Sequence, residues 1–318
     1  MKRNIAIFVF SLFCASLRPA GAQETASFMR NPSGAASMSL AGAGIVSMDD
    51  ISALDNPALT PFSNDSFSAG VSVMDWMHGL NDGLSSYSAS ARYSAPSAGT
   101  FYLGFRSLKN PPFEQTDDFG NVLQGSSSPL DFAVEAGYAR RFCQDFSAAL
   151  TARYLRLNPG YGKAADAVSF DFGFGYRHCF DAVLSDVAAT VQLKDFGTSP
   201  DYGYGRRSLP WIVNAGVSAG VLAGEHHRFR AGVSGDVSLR PAASRGFSPS
   251  FGGEYSFRRM VYVRGGWHLG DKSAGEQRWG ALGIGLRYLH VTIDAGWIIA
   301  QSASPLHNTV SCTLSVWI

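Results

Sequence analysis

The run Val168-Ser169-Phe170-Asp171-Phe172-Gly173-Phe174-Gly175-Tyr176-Arg177 decides the fold. Phe170, Phe172, Phe174 and Tyr176 fall on one parity; Ser169, Asp171, Gly173, Gly175 and Arg177 fall on the other. Successive side chains of a strand point to opposite faces, so this segment has one greasy face and one wet face. The pattern recurs to the last residue. Phe251, Tyr255 and Phe257 oppose Gly252, Glu254, Ser256 and Arg258. The final stretch sets Val310, Cys312, Leu314, Val316 and Ile318 against Thr309, Ser311, Thr313 and Ser315.

Read outward from 165–179, the alternation predicts strands at 66–75, 84–95, 98–108, 129–142, 145–157, 186–195, 208–222, 226–239, 248–258, 260–269, 277–289, 291–300 and 308–318. That makes about fourteen, an even number that returns both barrel ends to one side. The gaps alternate as well. Short turns fall near Pro96-Ser97, Cys143-Gln144, Ala223-Gly224-Glu225, Arg258-Arg259 and Leu289-His290, with a longer gap near 180–185. The remaining gaps are mostly longer, and the longest holds Asn110-Pro111-Pro112-Phe113 and Asp117-Asp118-Phe119-Gly120-Asn121. Short turns on one rim and long loops on the other are the habit of an outer-membrane barrel.

Charge supports the same reading. The wet faces carry Glu135, Asp171, Arg177, Glu254, Arg258, Arg264, Arg287 and Asp294. An Arg or Lys facing lipid near the midplane costs about 2–4 kcal/mol, so these residues are expected inside, as ion pairs. A soluble barrel inverts the two faces, and alternation alone does not distinguish the cases. The N-terminus favours the membrane. Lys2 and Arg3, an apolar run from Ile5 to Leu17 and Ala20-Gly21-Ala22 read as a secretory leader spanning 1–22.

The chain has 318 residues, 46% hydrophobic but only 16% charged, with 35 glycines. A soluble domain averages about 25% charged residues. The formal net charge of +1 falls to about −2 when Lys2, Arg3 and Arg18 leave with the leader. That balance argues against nucleic acid, which selects a clustered basic face. Three cysteines remain beyond the leader, Cys143, Cys179 and Cys312, without metal-ligand spacing. A Cys143–Cys179 disulfide has no support in the pattern.

Residues 23–62 do not alternate. Gly34-Ala35-Ala36-Ser37-Met38-Ser39-Leu40-Ala41-Gly42-Ala43-Gly44 is a run of mostly small side chains. Asn56-Pro57 reads as a helix cap followed by proline at the first helical position. Small residues fold tightly in a confined space, so 23–62 is expected to form a luminal plug or a periplasmic hatch for a barrel spanning 63–318. Gly42, Gly44, Asp49, Asp50, Asn56 and Pro57 are the residues expected to hold it.

This Gly-Ala-Gly run, with Asp49-Asp50 and the downstream Asn56-Pro57-Ala58, resembles the N-terminal signature of the PorV/PorQ outer-membrane proteins; FadL-type hydrophobe transporters share a related form. Leu193-Lys194-Asp195-Phe196-Gly197 and Ser304-Pro305-Leu306-His307-Asn308-Thr309 also resemble PorV. The resemblance implies a FadL-like barrel of 14 strands. In PorV it further implies a shuttle that receives secreted cargo bearing a C-terminal sorting domain within a type IX secretion system. On that reading Phe113, Tyr202, Tyr204, Arg206, Arg207 and Trp211, aromatic and basic loop residues, make the partner contacts. The alternative is passive transport of a small hydrophobic ligand. It predicts an apolar pocket beside the plug and a kink in the wall, placed by Gly203, Gly205 and Pro210-Trp211. Outer-membrane lipid is a partner on either reading.

Catalytic patterns are weak. Gly216-Val217-Ser218-Ala219-Gly220 matches G-x-S-x-G but lies within an alternating strand, not on a strand-to-helix elbow. The seven histidines lack metal-site spacing. Asp49, Asp50 and Asp55 could gather a cation, although capping and plug hydrogen bonds account for them. Glu135 and Asp171 could pair as carboxylates, with luminal salt bridges to Arg177 or Arg264 as the simpler account. The expectation is a non-enzymatic protein without cofactor or metal.

Overall fold

The computed structural model describes residues 25–44, 51–78, 83–116, 122–160, 162–271 and 274–318. The expected leader and Asp49 and Asp50 lie outside these residues. Sixteen strands follow in chain order: β1 (Phe67–Asp75), β2 (Ser85–Ala95), β3 (Gly99–Lys109), β4 (Phe113–Thr116), β5 (Val122–Ser127), β6 (Leu130–Arg141), β7 (Phe146–Leu157) and β8 (Ala165–Cys179). The second half holds β9 (Leu184–Gly197), β10 (Ile212–Ala223), β11 (His227–Ser238), β12 (Gly246–Phe257), β13 (Val261–Leu269), β14 (Arg278–Tyr288), β15 (Val291–Ile299) and β16 (Val310–Trp317).

Fourteen of them close an antiparallel barrel in which each neighbour in sequence is a neighbour in space, and β1 pairs with β16 to seal the seam. The remaining two, β4 and β5, form a separate hairpin in the longest loop. Sequence reading missed this hairpin because its span is rich in turn-forming residues. Closure matters physically, since lipid offers no partner to an open sheet edge.

The faces are those of a membrane barrel. Val168, Phe170, Phe172 and Phe174 are exposed on β8, with Phe174 67% exposed, while Ser169 and Asp171 are buried. The outer surface continues as Leu103, Phe105, Val191, Phe251, Trp267, Ile284, Trp297 and Leu314. The short connections gather on one rim, taken as periplasmic, and the long loops on the other.

Two boundaries differ from expectation. β10 begins at Ile212, because Leu209 and Pro210 turn into the protein and proline has no amide to donate to a ladder. Arg258 belongs to the turn after β12, at φ 51°, rather than to the lumen. Among the described residues, Cys143, Cys179 and Cys312 are free.

Inside the barrel sits the described part of the segment before β1. It comprises one short helix, α1 (Ala35–Ser39), and 3₁₀ turns at Ser27–Arg30, Ser52–Leu54 and Pro57–Phe62. Ala35, Met38, Leu40, Ile51 and Ala58 are almost wholly buried. The wall makes room by losing side chains. A Cβ on Gly266 of β13 would lie 2.8 Å from the Ala41 amide nitrogen, and one on Gly296 of β15 would lie 2.8 Å from the Ala35 carbonyl oxygen. The luminal glycines of the alternating strands are therefore the cavity the plug fills. A hydrogen bond from the Ala35 amide to Thr313 Oγ1 (2.8 Å) fixes α1 to β16.

Gly266→Val should displace α1 while leaving the outer wall intact. The expected outcome is a barrel that still shifts on heat-modifiability gels but whose segment near residue 40 becomes sensitive to protease. Unchanged protease resistance would contradict the close fit described here.

Candidate functional site

One irregularity in the wall organises the lumen. Between β8 and β9 the register shifts, so that Lys194 and Asp195 together face Asp171. This is a β-bulge, with Asp195 at φ 59°. The extra residue turns two consecutive side chains inward, where regular alternation allows one. Lys194 Nζ donates to the Asp55 carbonyl of the plug (2.9 Å), and the Asp195 carboxylate accepts from Arg153 (2.5 Å).

Arg153 on β7 is the hub. Its guanidinium also donates to Glu135 on β6 (2.6 Å) and to Asp171 on β8 (2.7 Å). The Asp195 amide donates to Asp171 as well (2.7 Å). Glu135 and Asp171 thus come together as expected, but across Arg153, not Arg177 or Arg264. Leu155 and Leu157 hid this residue, because they put apolar side chains on the same luminal face of β7. Arg106 on β3 completes the connection to the plug by donating to the Leu54 carbonyl and lying 3.5 Å from Asp55.

Those leucines belong to a wider feature. At the loop ends of the strands, inward positions turn apolar: Ala133, Leu155, Leu157, Ala165, Ala167, Met74, Trp279, Ala281 and Ile298 are all buried. Phe28 and Met29 from the plug segment and Tyr202 and Leu209 from a loop pack against part of this surface, and Trp76 and Leu306 against another part. A cavity of about 340 Å³ remains there. Met29, Trp76, Met77, Ile212, Trp279 and Leu306 give it an apolar side, while Arg30, Asp55, Asn56, Arg106, Gln192, Lys194, Asp195, Asn214, Asp236, His268, Glu276 and Gln277 make the rest of its lining polar.

The expected plug residues can now be placed. Gly42, at φ 82°, and Gly44 line this cavity. Asn56 occupies the cap position and Pro57 the first position of a 3₁₀ turn, but the Asn56 side chain does not cap it. Its amide donates to Thr190 Oγ1 instead (3.4 Å).

The loop residues do not share one role. Tyr202 is buried, its hydroxyl 2.5 Å from that of Thr25, and burial pushes its phenol pKa up. Trp211 lies between Phe196 and the Arg240 guanidinium, which is 4.1 Å from its ring centre. Phe113 sits in the separate β4–β5 hairpin. Tyr204 and Arg206 are exposed, and the Arg207 amide donates to the Pro200 carbonyl (3.0 Å). Gly203–Trp211 precede β10, which pairs with β11 in unbroken register from Ile212 to Ala223; the register irregularities lie between β8 and β9 at Asp195 and between β9 and β10 at Gly220 and Val221. Ser218 lies in mid-strand on β10, with no elbow. Among the described residues no group of His, Cys, Asp and Glu is arranged to hold a metal.

A closed antiparallel barrel of fourteen strands with an apolar exterior and an N-terminal segment inside has the architecture of an outer-membrane barrel, and solved structures share its fold. The toluene transporter TodX of Pseudomonas putida is similar in fold, with 13% identity over 90% of this chain and 98% of that one and a TM-score of 0.57. A deletion mutant of TodX, a monoaromatic hydrocarbon channel, is also similar in fold, with 13% identity over 84% of this chain and 94% of that one and a TM-score of 0.52. A Pseudomonas aeruginosa FadL homologue covers 91% of this chain and 98% of its own, at 11% identity and a TM-score of 0.48. No protein-family model matches the sequence, and no curated protein is similar to it.

Removing Arg153 would leave three carboxylates buried without their common counter-ion. Breaking a buried pair this way costs about 3–5 kcal/mol. Arg153→Met should therefore lower the urea midpoint of the detergent-solubilised barrel by far more than Arg156→Met, whose ion pair with Asp166 is half-exposed. Equal midpoints would remove Arg153 from its central place.

Proposed function

We propose that this barrel passes small hydrophobic molecules across the outer membrane, admitting them at the loop rim and holding them above the plug. The carrying observation is the apolar lining of the outer lumen around the 340 Å³ cavity, on a face that is polar elsewhere in the same strands. A binding site of this kind combines apolar side chains with placed polar groups, and its volume suits a compact ligand. The fold shared with the toluene transporter TodX and with a TodX variant, a monoaromatic hydrocarbon channel, supports the same class of cargo. Passage requires α1 and the turn at Pro57–Phe62 to yield, and the bulge contacts from Lys194 and Arg106 to Asp55 and Leu54 are what they would release.

The secretion-shuttle reading rests on the three sequence stretches that resemble PorV. Each has a structural reason here. The Gly-Ala-Gly run packs in the lumen, Leu193–Gly197 is the bulge, and Ser304–Thr309 inserts Leu306 into the apolar outer cluster. Tyr204 and Arg206 are the loop residues free to meet a protein partner, which is a thin basis beside the lined cavity.

Uptake of radiolabelled toluene by cells expressing the chain, compared with a vector control, tests the proposal. Expression should raise the rate several-fold, and Trp279→Glu, which puts a charge into the apolar wall, should return it to the control. Control-level uptake by the folded wild-type barrel would sink the transport reading. Copurification of secreted proteins sharing one C-terminal domain would replace it with the shuttle.

A further inference from the structure

At the opposite end of the lumen the chemistry reverses. Beneath the plug, between Phe62–Asp65 and the short turns, lies a cavity of about 530 Å³. A second of about 450 Å³ shares Phe62, Asn64, Arg177, Arg228 and Arg259 with it, so the two form one basin opening to the periplasmic rim. Six arginines line the first cavity: Arg177, Arg228, Arg230, Arg259, Arg264 and Arg287. Asp65 and Glu254 line the first cavity, Asp145 and Asp186 line the second with one more arginine, Arg141, and Asp294 stands in the wall.

The imbalance is concentrated at Asp186. This one carboxylate accepts from Arg228 (2.5 Å) and Arg230 (2.6 Å) and lies 3.5 Å from Arg177, so three guanidiniums converge on it, Arg230 also standing opposite Glu254 across the β11–β12 ladder. The other arginines are better matched. Arg264 bridges Glu254 (2.7 Å) and Asp294, and Arg287 pairs with Asp65 (3.1 Å). Arg259, on a turn, is exposed at the lip. A low-dielectric cleft lined by one sign of charge focuses its field on counter-ions.

A second observation concerns donors. The Thr292 hydroxyl, on a residue only 5% exposed, has no hydrogen-bond partner, nor have Arg228 Nε and the Trp317 indole N–H. All three residues line the basin. Buried donors are normally satisfied, so these call for an acceptor in the cavity. The Arg287 guanidinium lies 3.8 Å from the Trp317 ring centre, which holds both groups beside that space.

We infer that the basin binds an oxyanion, a phosphate or carboxylate group presented from the periplasmic side. Planar guanidiniums pair such groups through two parallel N–H bonds, and the spare charge at Asp186 supplies the attraction. The site is distinct from the apolar cavity above the plug, and its existence does not depend on what that cavity carries.

The test is a titration of the purified full-length barrel, in non-ionic detergent at low salt, with pyrophosphate, read by tryptophan fluorescence. Saturable change is expected, and Trp317→Phe should abolish the signal. Arg259→Gln, at an exposed position where folding is undisturbed, should weaken binding several-fold, and Arg228→Gln at least tenfold. Asp186→Asn, which removes the competing carboxylate, should tighten it. Absence of saturation up to millimolar pyrophosphate in the folded wild-type protein would overturn the inference, as would identical binding by Arg259→Gln and Arg228→Gln. Native mass spectrometry of gently extracted protein then distinguishes the source. Retained anionic phospholipid identifies a headgroup, and its absence alongside pyrophosphate binding identifies a soluble anion.

Discussion

A charged side chain in a membrane wall cannot face lipid, so it must find its counter-ion within the cylinder. That exclusion shapes this molecule more than any single contact. It drives Glu135, Arg153 and Asp171 of three adjacent strands onto one another, and a bulge adds Asp195 to the same cluster. Because the bulge also turns Lys194 inward, the pairing that solves the wall's electrostatic problem reaches the plug. Wall and plug are therefore one electrostatic unit. The inner rim repeats the arrangement, with Arg177 donating to the Phe62 carbonyl (2.9 Å) and Arg92 to the Thr60 carbonyl (3.3 Å).

Along its axis the lumen is graded. Apolar side chains line the outer end, ion pairs the middle, and arginines in excess the inner end. A strand alternation with a constant apolar exterior imposes nothing on this gradient, since inward positions are free of lipid. The gradient is thus where this chain differs from a generic barrel. The two ends of the lumen therefore differ in the side chains they present, aromatic and aliphatic ones above and arginines below.

The barrel itself was legible in the sequence because lipid enforces one parity of every strand. Phe170, Phe172 and Phe174 announce a face before any partner is known, and β8 occupies 165–179 as its alternation predicts. Functional detail was legible only where it followed that parity. Arg153 was missed because Leu155 and Leu157 share its luminal face and blur the alternation. The bulge lies in Leu193–Gly197, which the sequence marked only by its resemblance to PorV, since an inserted residue has no signature of its own in one sequence. The loop aromatics illustrate the opposite error. Tyr202 and Trp211 look like display residues, yet loops over an apolar mouth must also cover it, and these two rings are turned to packing.

The seam has a consequence for how the protein is made. It joins β1 to β16, and the amide of Ala35 reaches Thr313 on that last strand. Glycines of the wall abut the plug backbone closely. The segment before β1 is thus enclosed by a wall that β16 completes. The plug acts as a mandrel around which the wall is wrapped, and the final strand closes over it like a stave driven home.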